Sequence, residues 1–224
     1  MGRLKFCFLL LSEFCAADDS VGSAAAALPD LYGDGSTALA IGASGISTVY
    51  LIDGYPFAST RIESAADTLL LGTEDPDTGG AGSSLASAGD LNGDGYTDLL
   101  IGAPGEASGA GRVYVVLGRT QGDFDAFGGS LALADWADAE FTGENSGDAT
   151  GTAVSGIGDQ NLDGYDDFVV TGHQSGAFSS PSPTADSFIY WGSSTGLSTS
   201  SYTALPGYSA RELVVAGKDI AGGR

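Results

Sequence analysis

The sequence is poor in positive charge. It contains 8 Lys and Arg residues against 29 Asp and Glu residues, which gives a formal net charge of −21, and it has a single histidine. Nucleic acid is therefore a poor partner, because no basic stripe exists to neutralise phosphates. No apolar run reaches the roughly 20 residues of a membrane-spanning helix, so the sequence predicts no transmembrane segment.

Cysteine is also scarce, since Cys7 and Cys15 are the only two. Both lie in MGRLKFCFLLLSEFCAADD, where a basic start precedes a short apolar stretch and a small-residue C-A-A ending. We predict that residues 1–17 are a secretory signal peptide cleaved near Ala17, which would leave a secreted or cell-surface chain without cysteine. A buried strand or a misjudged start site is the alternative, because Glu13 interrupts the apolar run.

Glycine, in contrast, is abundant at 36 residues, and the sequence repeats itself. Residues 82–104 align without a gap with residues 151–173, and residues 22–44 align with both. The ending VVAGKDIAGGR, with Asp219, is similar to the opening of a fourth copy. In each copy short runs rich in Val, Ile, Phe and Tyr alternate with Gly-rich turns, which predicts short antiparallel strands. About four strands in each period of about 60 residues is typical of a β-propeller blade.

Each full copy also contains a consecutive apolar triplet, such as residues 99–101 and 168–170. Because neighbouring residues of a strand point to opposite faces, an unbroken apolar triplet predicts a strand covered on both faces. A small sheet packed between two others would have that environment. The sequence therefore predicts an all-β fold.

The loops before two triplets, DLNGDGYTD and DQNLDGYDD, have oxygen-bearing side chains at positions 1, 3, 5 and 9 and glycine at position 6. Oxygen ligands of this kind suit Ca²⁺. An EF-hand is rejected because Ile101 and Val170 stand at position 12, where its bidentate Glu would be needed. We predict calcium-binding hairpins, in which each tyrosine ligates through its backbone carbonyl. The predicted metal ligands are Asp90, Asn92, Asp94, Tyr96, Asp98, Asp159, Asn161, Asp163, Tyr165 and Asp167.

The corresponding first loop keeps Asp30 and Asp34 but has Tyr32 at position 3 and Ala38 at position 9. We predict that this loop binds metal weakly or not at all. Since the hairpin recurs without its full ligand set, the ion is expected to reinforce the fold and to perform no chemistry.

With its Val21-Gly22, its two aspartate-rich loops and its Ile101-Gly102-Ala103-Pro104, the chain resembles the FG-GAP repeat family of integrin alpha chains and secreted bacterial repeat proteins. The resemblance implies a partial β-propeller of about three four-stranded antiparallel blades and the start of a fourth, as a fragment of a longer propeller. Ala81-Gly82 and Thr150-Gly151 depart from the Phe-Gly of the family. The predicted repeats are residues 18–79, 80–147 and 148–208, with a truncated repeat at 209–224.

Residues suited to catalysis are few. His173 follows a glycine in a turn, and the pattern G-x-S-x-G at residues 192–196 lacks the helix that a hydrolase elbow requires. Trp136 and Trp191 are expected in the core or between blades, although either could stack on a sugar.

We therefore expect a non-catalytic, calcium-binding module for adhesion or protein–protein interaction, with an extracellular protein or glycan ligand. Self-association through open blade edges is a further expectation. The alternatives are a propeller segment of a larger secreted hydrolase and a carbohydrate-binding, lectin-like protein.

Overall fold

The computed structural model describes residues 19–54, 65–73, 80–125, 129–143, 145–172, 187–194, 197 and 202–205. The predicted signal peptide with Cys7 and Cys15, His173, and the truncated repeat with Asp219 lie outside these residues. Strands dominate the described chain, which confirms the all-β prediction. The strands are β1 (Val21–Pro29), β2 (Thr37–Ala43), β3 (Thr48–Ile52), β4 (Thr68–Leu71), β5 (Ser84–Gly89), β6 (Asp98–Ala103), β7 (Arg112–Val116), β8 (Ser130–Ala132), β9 (Ala139–Thr142), β10 (Ala153–Gly158), β11 (Asp167–Thr171), β12 (Ser187–Tyr190) and β13 (Tyr202–Leu205).

The helical segments of the described chain are short. They are a 3₁₀ turn at Ser44–Ile46, α1 (Glu106–Gly109), α2 (Gln121–Asp125) and α3 (Leu133–Trp136). Ala107 and Ser108 inside α1 have left-handed backbone angles, so α1 is a tight turn and not a regular helix. Across the described ranges, no helix has the length and apolar character needed to cross a membrane.

The strands form three sheets. Sheet 1 has the order β1-β2-β3-β4-β8, sheet 2 the order β5-β6-β7-β9, and sheet 3 the order β10-β11-β12-β13. All neighbours are antiparallel except β4 and β8, which pair in parallel from Leu69↔Ser130 to Leu71↔Ala132. The sequence predicted four strands per sheet, each set drawn from its own repeat. The fifth strand of sheet 1 comes instead from the predicted second repeat, where it occupies the hydrogen-bonding groups that β4 would otherwise leave unpaired at an edge.

Strand β6 of sheet 2 is buried on both faces. All six residues of β6 are buried. Leu99 and Ile101 belong to the apolar cluster shared with sheet 1, whereas Leu100 belongs to the cluster shared with sheet 3. The prediction that the apolar triplet is covered on both faces is therefore confirmed for this strand, and the reason is the alternation of side chains along it.

Glycines bring neighbouring sheets into backbone contact. A methyl group built on Gly102 of sheet 2 would lie 2.1 Å from the carbonyl oxygen of Gly151, which precedes sheet 3. At the same place the Ser84 hydroxyl donates to the Gly151 carbonyl at 2.8 Å. Between sheets 1 and 2, Gly42 approaches the Gly82 carbonyl in the same way, with a Cβ distance of 2.0 Å. These approaches leave no room for any side chain.

A fully buried carboxylate also joins sheets 1 and 2. Glu106 Oε1 accepts hydrogen bonds from the Ser47 hydroxyl and the Thr73 N–H, both at 3.0 Å, and Oε2 accepts one from the Tyr114 hydroxyl. Burial and the neighbouring carboxylate raise the pKa of Tyr114, so its hydroxyl remains a donor. Ser47 and Thr73 lie on the side of sheet 1 and Tyr114 lies in sheet 2, so the Glu106 carboxylate accepts hydrogen bonds from both sides of the contact between the two sheets.

Candidate metal-binding loops

The second loop connects β5 to β6 and is organised around Asp90. Its Oδ1 accepts the N–H groups of Gly93 at 2.7 Å and Asp94 at 3.1 Å, and its Oδ2 accepts the Gly95 N–H at 2.8 Å. Gly95 has a φ of +90°, a left-handed conformation that favours glycine. The Asp90 side chain at position 1 therefore holds the turn together, and Gly95 at position 6 supplies the left-handed backbone that the turn needs.

The same turn recurs in the other two loops. Asp159 Oδ2 accepts the Gly164 N–H at 2.8 Å, and Asp30 Oδ1 accepts the Gly35 N–H at 2.7 Å. The hydrogen bond from position 6 to position 1 is thus present in all three copies, although the first copy lacks oxygen ligands at positions 3 and 9. The turn depends on Asp and Gly alone, which explains how the first loop keeps its shape.

Positions 3 and 5 form exposed polar pairs above this turn. Asn92 Nδ2 donates to Asp94 Oδ2 at 2.8 Å, and Asn161 Nδ2 donates to Asp163 Oδ2 at 2.9 Å. The Oδ1 atoms of Asp94 and Asp163 accept the N–H groups of Tyr96 and Tyr165, at 2.9 and 3.0 Å. Exposure keeps these oxygens accessible from solvent, while the backbone bonds hold the side chains over the loop.

Position 9 is different, because Asp98 and Asp167 are completely buried. Asp98 Oδ2 accepts the Leu91 N–H at 2.8 Å and Oδ1 accepts the Gly118 N–H at 2.9 Å. Asp167 repeats this arrangement with the N–H groups of Gln160 at 2.7 Å and Gly192 at 3.0 Å. Each carboxylate therefore ties its own loop to the segment that follows the third strand of its sheet.

Burial raises the pKa of Asp98 to about 8, and the negative charges of Asp94 and Asp90 act in the same direction. The two backbone donors oppose this shift without cancelling it. A cation among these carboxylates would favour their ionised forms and so relieve the same repulsion.

The loops of neighbouring sheets pack on one another through tyrosine and glycine. The Tyr96 ring covers Gly33 of the first loop, where a methyl group would lie 2.1 Å from Cε1, and the Tyr165 ring covers Gly93 in the same way, at 2.6 Å. At the corresponding position of the third loop stands Leu162, which is 87% exposed. Position 4 must therefore be glycine in any loop that is covered by the tyrosine ring of the following loop.

Backbone hydrogen bonds reinforce the contact between loops. The Arg119 N–H donates to the Leu31 carbonyl at 3.0 Å, and the Ser193 N–H donates to the Leu91 carbonyl at 2.9 Å. Arg119 and Ser193 directly follow Gly118 and Gly192, the two glycines whose N–H groups are held by Asp98 and Asp167. The buried position-9 carboxylates thus position the residues that dock on the preceding loop.

Asp166 is a linking residue that the sequence analysis missed. Its N–H donates to the Asp90 carbonyl at 3.0 Å, and its Oδ2 accepts the Asp90 N–H at 2.8 Å. Asp90 is therefore held on its backbone by the third loop while its side chain organises the second. The available signal was the aspartate at position 8, where the second loop has Thr97.

Among the described residues, no group of three or more His, Cys, Asp or Glu side chains is arranged to hold a metal ion. The loops nevertheless fit a hard cation in their chemistry, since every side-chain donor is oxygen and each carboxylate oxygen can accept more than one partner. The Asn92–Asp94 and Asn161–Asp163 contacts occupy oxygens that an ion would use. The ten predicted ligands therefore stay a prediction. Two of them, Asp98 and Asp167, also have a structural role, because their buried carboxylates hold each loop to the segment that follows the third strand of its sheet.

In the first loop, the residues at positions 3 and 9, which replace the predicted metal ligands, lie in the core. Tyr32 and Ala38 are 4% and 1% exposed. The Tyr32 ring packs edge-on against Phe124 at 5.0 Å, and Phe124 contacts Trp136 at 4.7 Å. The Arg119 guanidinium covers the Trp136 ring at 4.5 Å, so this tryptophan packs within the protein as expected.

Comparison with known proteins identifies similar chains. The FG-GAP repeat family model matches residues 81–116, which include the whole second loop. Mouse integrin alpha-IIb is 32% identical over 160 residues, covering 64% of this chain and 14% of the relative. Integrin alpha-5 of Xenopus laevis is 33% identical over 158 residues, covering 58% and 14%, and mouse integrin alpha-M is 38% identical over 65 residues, covering 29% and 6%. This chain thus spans a small part of the length of each relative.

Proposed function

Since the chain contains an FG-GAP repeat and is related in sequence to integrin alpha chains, we propose that it is a calcium-stabilised β-propeller module that binds a protein partner outside the cell or at its surface. The module itself is non-catalytic in this proposal. The surface loops recognise the partner, and the calcium ions keep the β-propeller rigid.

The observation that carries the proposal is the position of the two aspartate-rich loops at the contacts between sheets. Tyr165 and Asp166 of the third loop dock on Gly93 and Asp90 of the second. An ion that fixes the second loop would therefore also fix the surface on which the third loop rests. Asp90, Asn92, Asp94, the Tyr96 carbonyl and Asp98 would hold one ion, and their counterparts 69 residues later the other.

The charge of the chain supports the same proposal. Asp90, Asp94 and Asp98 lie within nine residues, and the described chain offers only Arg112 and Arg119 as basic side chains. Both are engaged elsewhere, Arg112 with Glu140 and Arg119 with Asp138. A divalent cation would supply positive charge that the described residues do not provide at these loops.

The proposal predicts a calcium-dependent melting temperature. At a free calcium concentration ten-fold above Kd, each site adds about 1.4 kcal/mol to the free energy of unfolding, so two sites add about 2.8 kcal/mol. For a chain of this size that corresponds to a rise of about 6–11 °C, measured by circular dichroism in calcium and in chelator. The variant Asp94→Ala plus Asp163→Ala should lose this response, because both sites lose their position-5 ligand.

The matched control is Asp34→Ala, which removes the position-5 carboxylate of the first loop. Its calcium response should equal that of the unchanged chain. If the double variant kept the full shift, or if Asp34→Ala lost as much of it as the double variant, the assignment of the sites to the second and third loops would be wrong.

A further inference from the structure

Three short elements, α2, β8 and α3, lie in the connection between β7 and β9 of sheet 2. The strand β8 pairs with β4 of sheet 1, and the Leu69 N–H of β4 donates to the Gly129 carbonyl at 2.8 Å. Phe124, Leu131 and Leu133, one from each element, are at most 3% exposed and belong to the apolar cluster between sheets 1 and 2. We call α2, β8 and α3 the clasp, because the chain leaves sheet 2 through them and adds a strand to sheet 1.

The connection that carries the clasp is anchored at both ends. Where it begins, the Arg119 N–H donates to the Leu31 carbonyl of the first loop at 3.0 Å. Where it ends, the Asp138 N–H donates to the Val115 carbonyl of β7 at 2.9 Å, and Asp138 Oδ2 accepts the Leu117 N–H at 2.8 Å. Arg119 and Asp138 also form an ion pair, which joins the two ends. The clasp therefore has fixed ends at sheet 2, while β8 is a strand of sheet 1.

Aromatic contacts join the clasp to the first loop. The Phe124 ring centroid lies 5.0 Å from that of Tyr32 and 4.7 Å from that of Trp136. Tyr32 lies between β1 and β2, so its ring belongs to the side of sheet 1. Separating sheets 1 and 2 would therefore break the pairing of β4 with β8 and expose the buried side chains of the clasp to water, and both changes oppose opening. The Glu106 carboxylate, which accepts hydrogen bonds from both sheets, would also lose partners.

The contact between sheets 2 and 3 has no such element. Within the described chain the strands of sheet 2 end at residue 142 and those of sheet 3 begin at residue 153, so neither sheet lends a strand to the other. The two sheets share an apolar cluster and are joined by hydrogen bonds such as Ser84 hydroxyl to Gly151 carbonyl and Ser193 N–H to Leu91 carbonyl. Sheet 3 can thus separate from sheet 2 without breaking the pairing of any two named strands, whereas sheet 1 cannot.

We propose that the clasp makes sheets 1 and 2 one cooperative unit, and that sheet 3 opens as a separate unit of lower stability. Opening of sheet 3 releases Asp166 from Asp90, so the third loop opens with sheet 3 while the second loop stays in the more stable unit. The proposal is independent of calcium binding, because no residue of the clasp is a predicted ligand of either ion.

The test is native-state amide hydrogen exchange of the whole chain, followed by NMR in chelator under conditions in which the exchange rate reports the opening equilibrium. We expect the slowest amides of sheets 1 and 2 to have the same protection factor within about three-fold, because they become exposed in the same opening. The slowest amides of sheet 3 should exchange at least about ten-fold faster.

The variant Leu131→Ala tests the clasp itself, because Leu131 is buried and stands opposite Leu70 of β4. The slowest amides of sheets 1 and 2 should exchange faster by the same factor, about 30-fold or more, since loss of a buried leucine side chain leaves a cavity. Sheet 3 should change by a smaller factor, because its opening does not involve the clasp. Ser130→Ala is the matched control, since Ser130 is exposed in the same strand and should leave all three sheets unchanged.

Results of two kinds would overturn the proposal. In the unchanged chain, different protection factors in sheets 1 and 2, or one protection factor common to all three sheets, would contradict a boundary between sheets 2 and 3. In Leu131→Ala, faster exchange confined to sheet 1 would show that the clasp does not couple sheet 2 to sheet 1. The measurement on the unchanged chain keeps its meaning even if the variant fails to fold.

Discussion

Replacing Asp98 with alanine should lower the free energy of unfolding in chelator by about 2–6 kcal/mol. Two buried N–H groups, those of Leu91 and Gly118, lose their acceptor, and each unsatisfied buried group costs about 1–3 kcal/mol. The loss also releases the segment after β7 that docks on the Leu31 carbonyl. Equilibrium unfolding in urea measures the effect without any contribution from metal.

Asp94→Ala is the control for this experiment, because it removes a carboxylate from the same loop at an exposed position. Its cost in chelator should stay near 1 kcal/mol, because the two hydrogen bonds that Asp94 accepts, from the Tyr96 N–H and from Asn92 Nδ2, are exposed and can be replaced by water. An equal loss of unfolding free energy in Asp98→Ala and Asp94→Ala would contradict the structural role of the buried Asp98 carboxylate.

The second large effect is expected at Gly102. Its methyl group in Gly102→Ala would stand 2.1 Å from the Gly151 carbonyl oxygen and 2.1 Å from the Ser84 hydroxyl. Because one of these neighbours is backbone, sheets 2 and 3 would have to separate, and overpacking of this kind costs about 1–3 kcal/mol or more. A lower urea midpoint is the expected measurement.

Gly122→Ala is the comparison variant for Gly102→Ala. Gly122 is exposed in helix α2, and the nearest atom to its added methyl group is the Thr120 hydroxyl oxygen at 3.9 Å. Alanine should leave stability unchanged or raise it by roughly 0.5–1 kcal/mol, since it favours the helix over glycine. A Gly102→Ala variant as stable as Gly122→Ala would refute the close backbone approach between the sheets.

Local sequence patterns predicted the local parts of the structure. Residues 99–101 were predicted to be a strand covered on both faces, and they are, because side-chain alternation is a property of the strand itself. The shared turn of the three loops was likewise readable from Asp at position 1 and Gly at position 6. In both cases the residues that determine the structure lie within a few positions of one another.

What the sequence did not reveal depends on residues far apart in the chain. Glu106 satisfies Ser47 from 59 residues away, and Asp166 pairs with Asp90 from 76 residues away. The parallel strand β8 joins sheet 1 from beyond three strands of sheet 2.

The proposed function requires that the second and third loops each bind one calcium ion. Equilibrium dialysis with the whole chain measures it most directly, as bound calcium per chain at saturation. We expect two ions for the unchanged chain, one each for Asp94→Ala and Asp163→Ala, and two for Asp34→Ala. A chain without saturable calcium binding, or a stoichiometry that neither Asp94→Ala nor Asp163→Ala changes, would contradict calcium binding at these two loops.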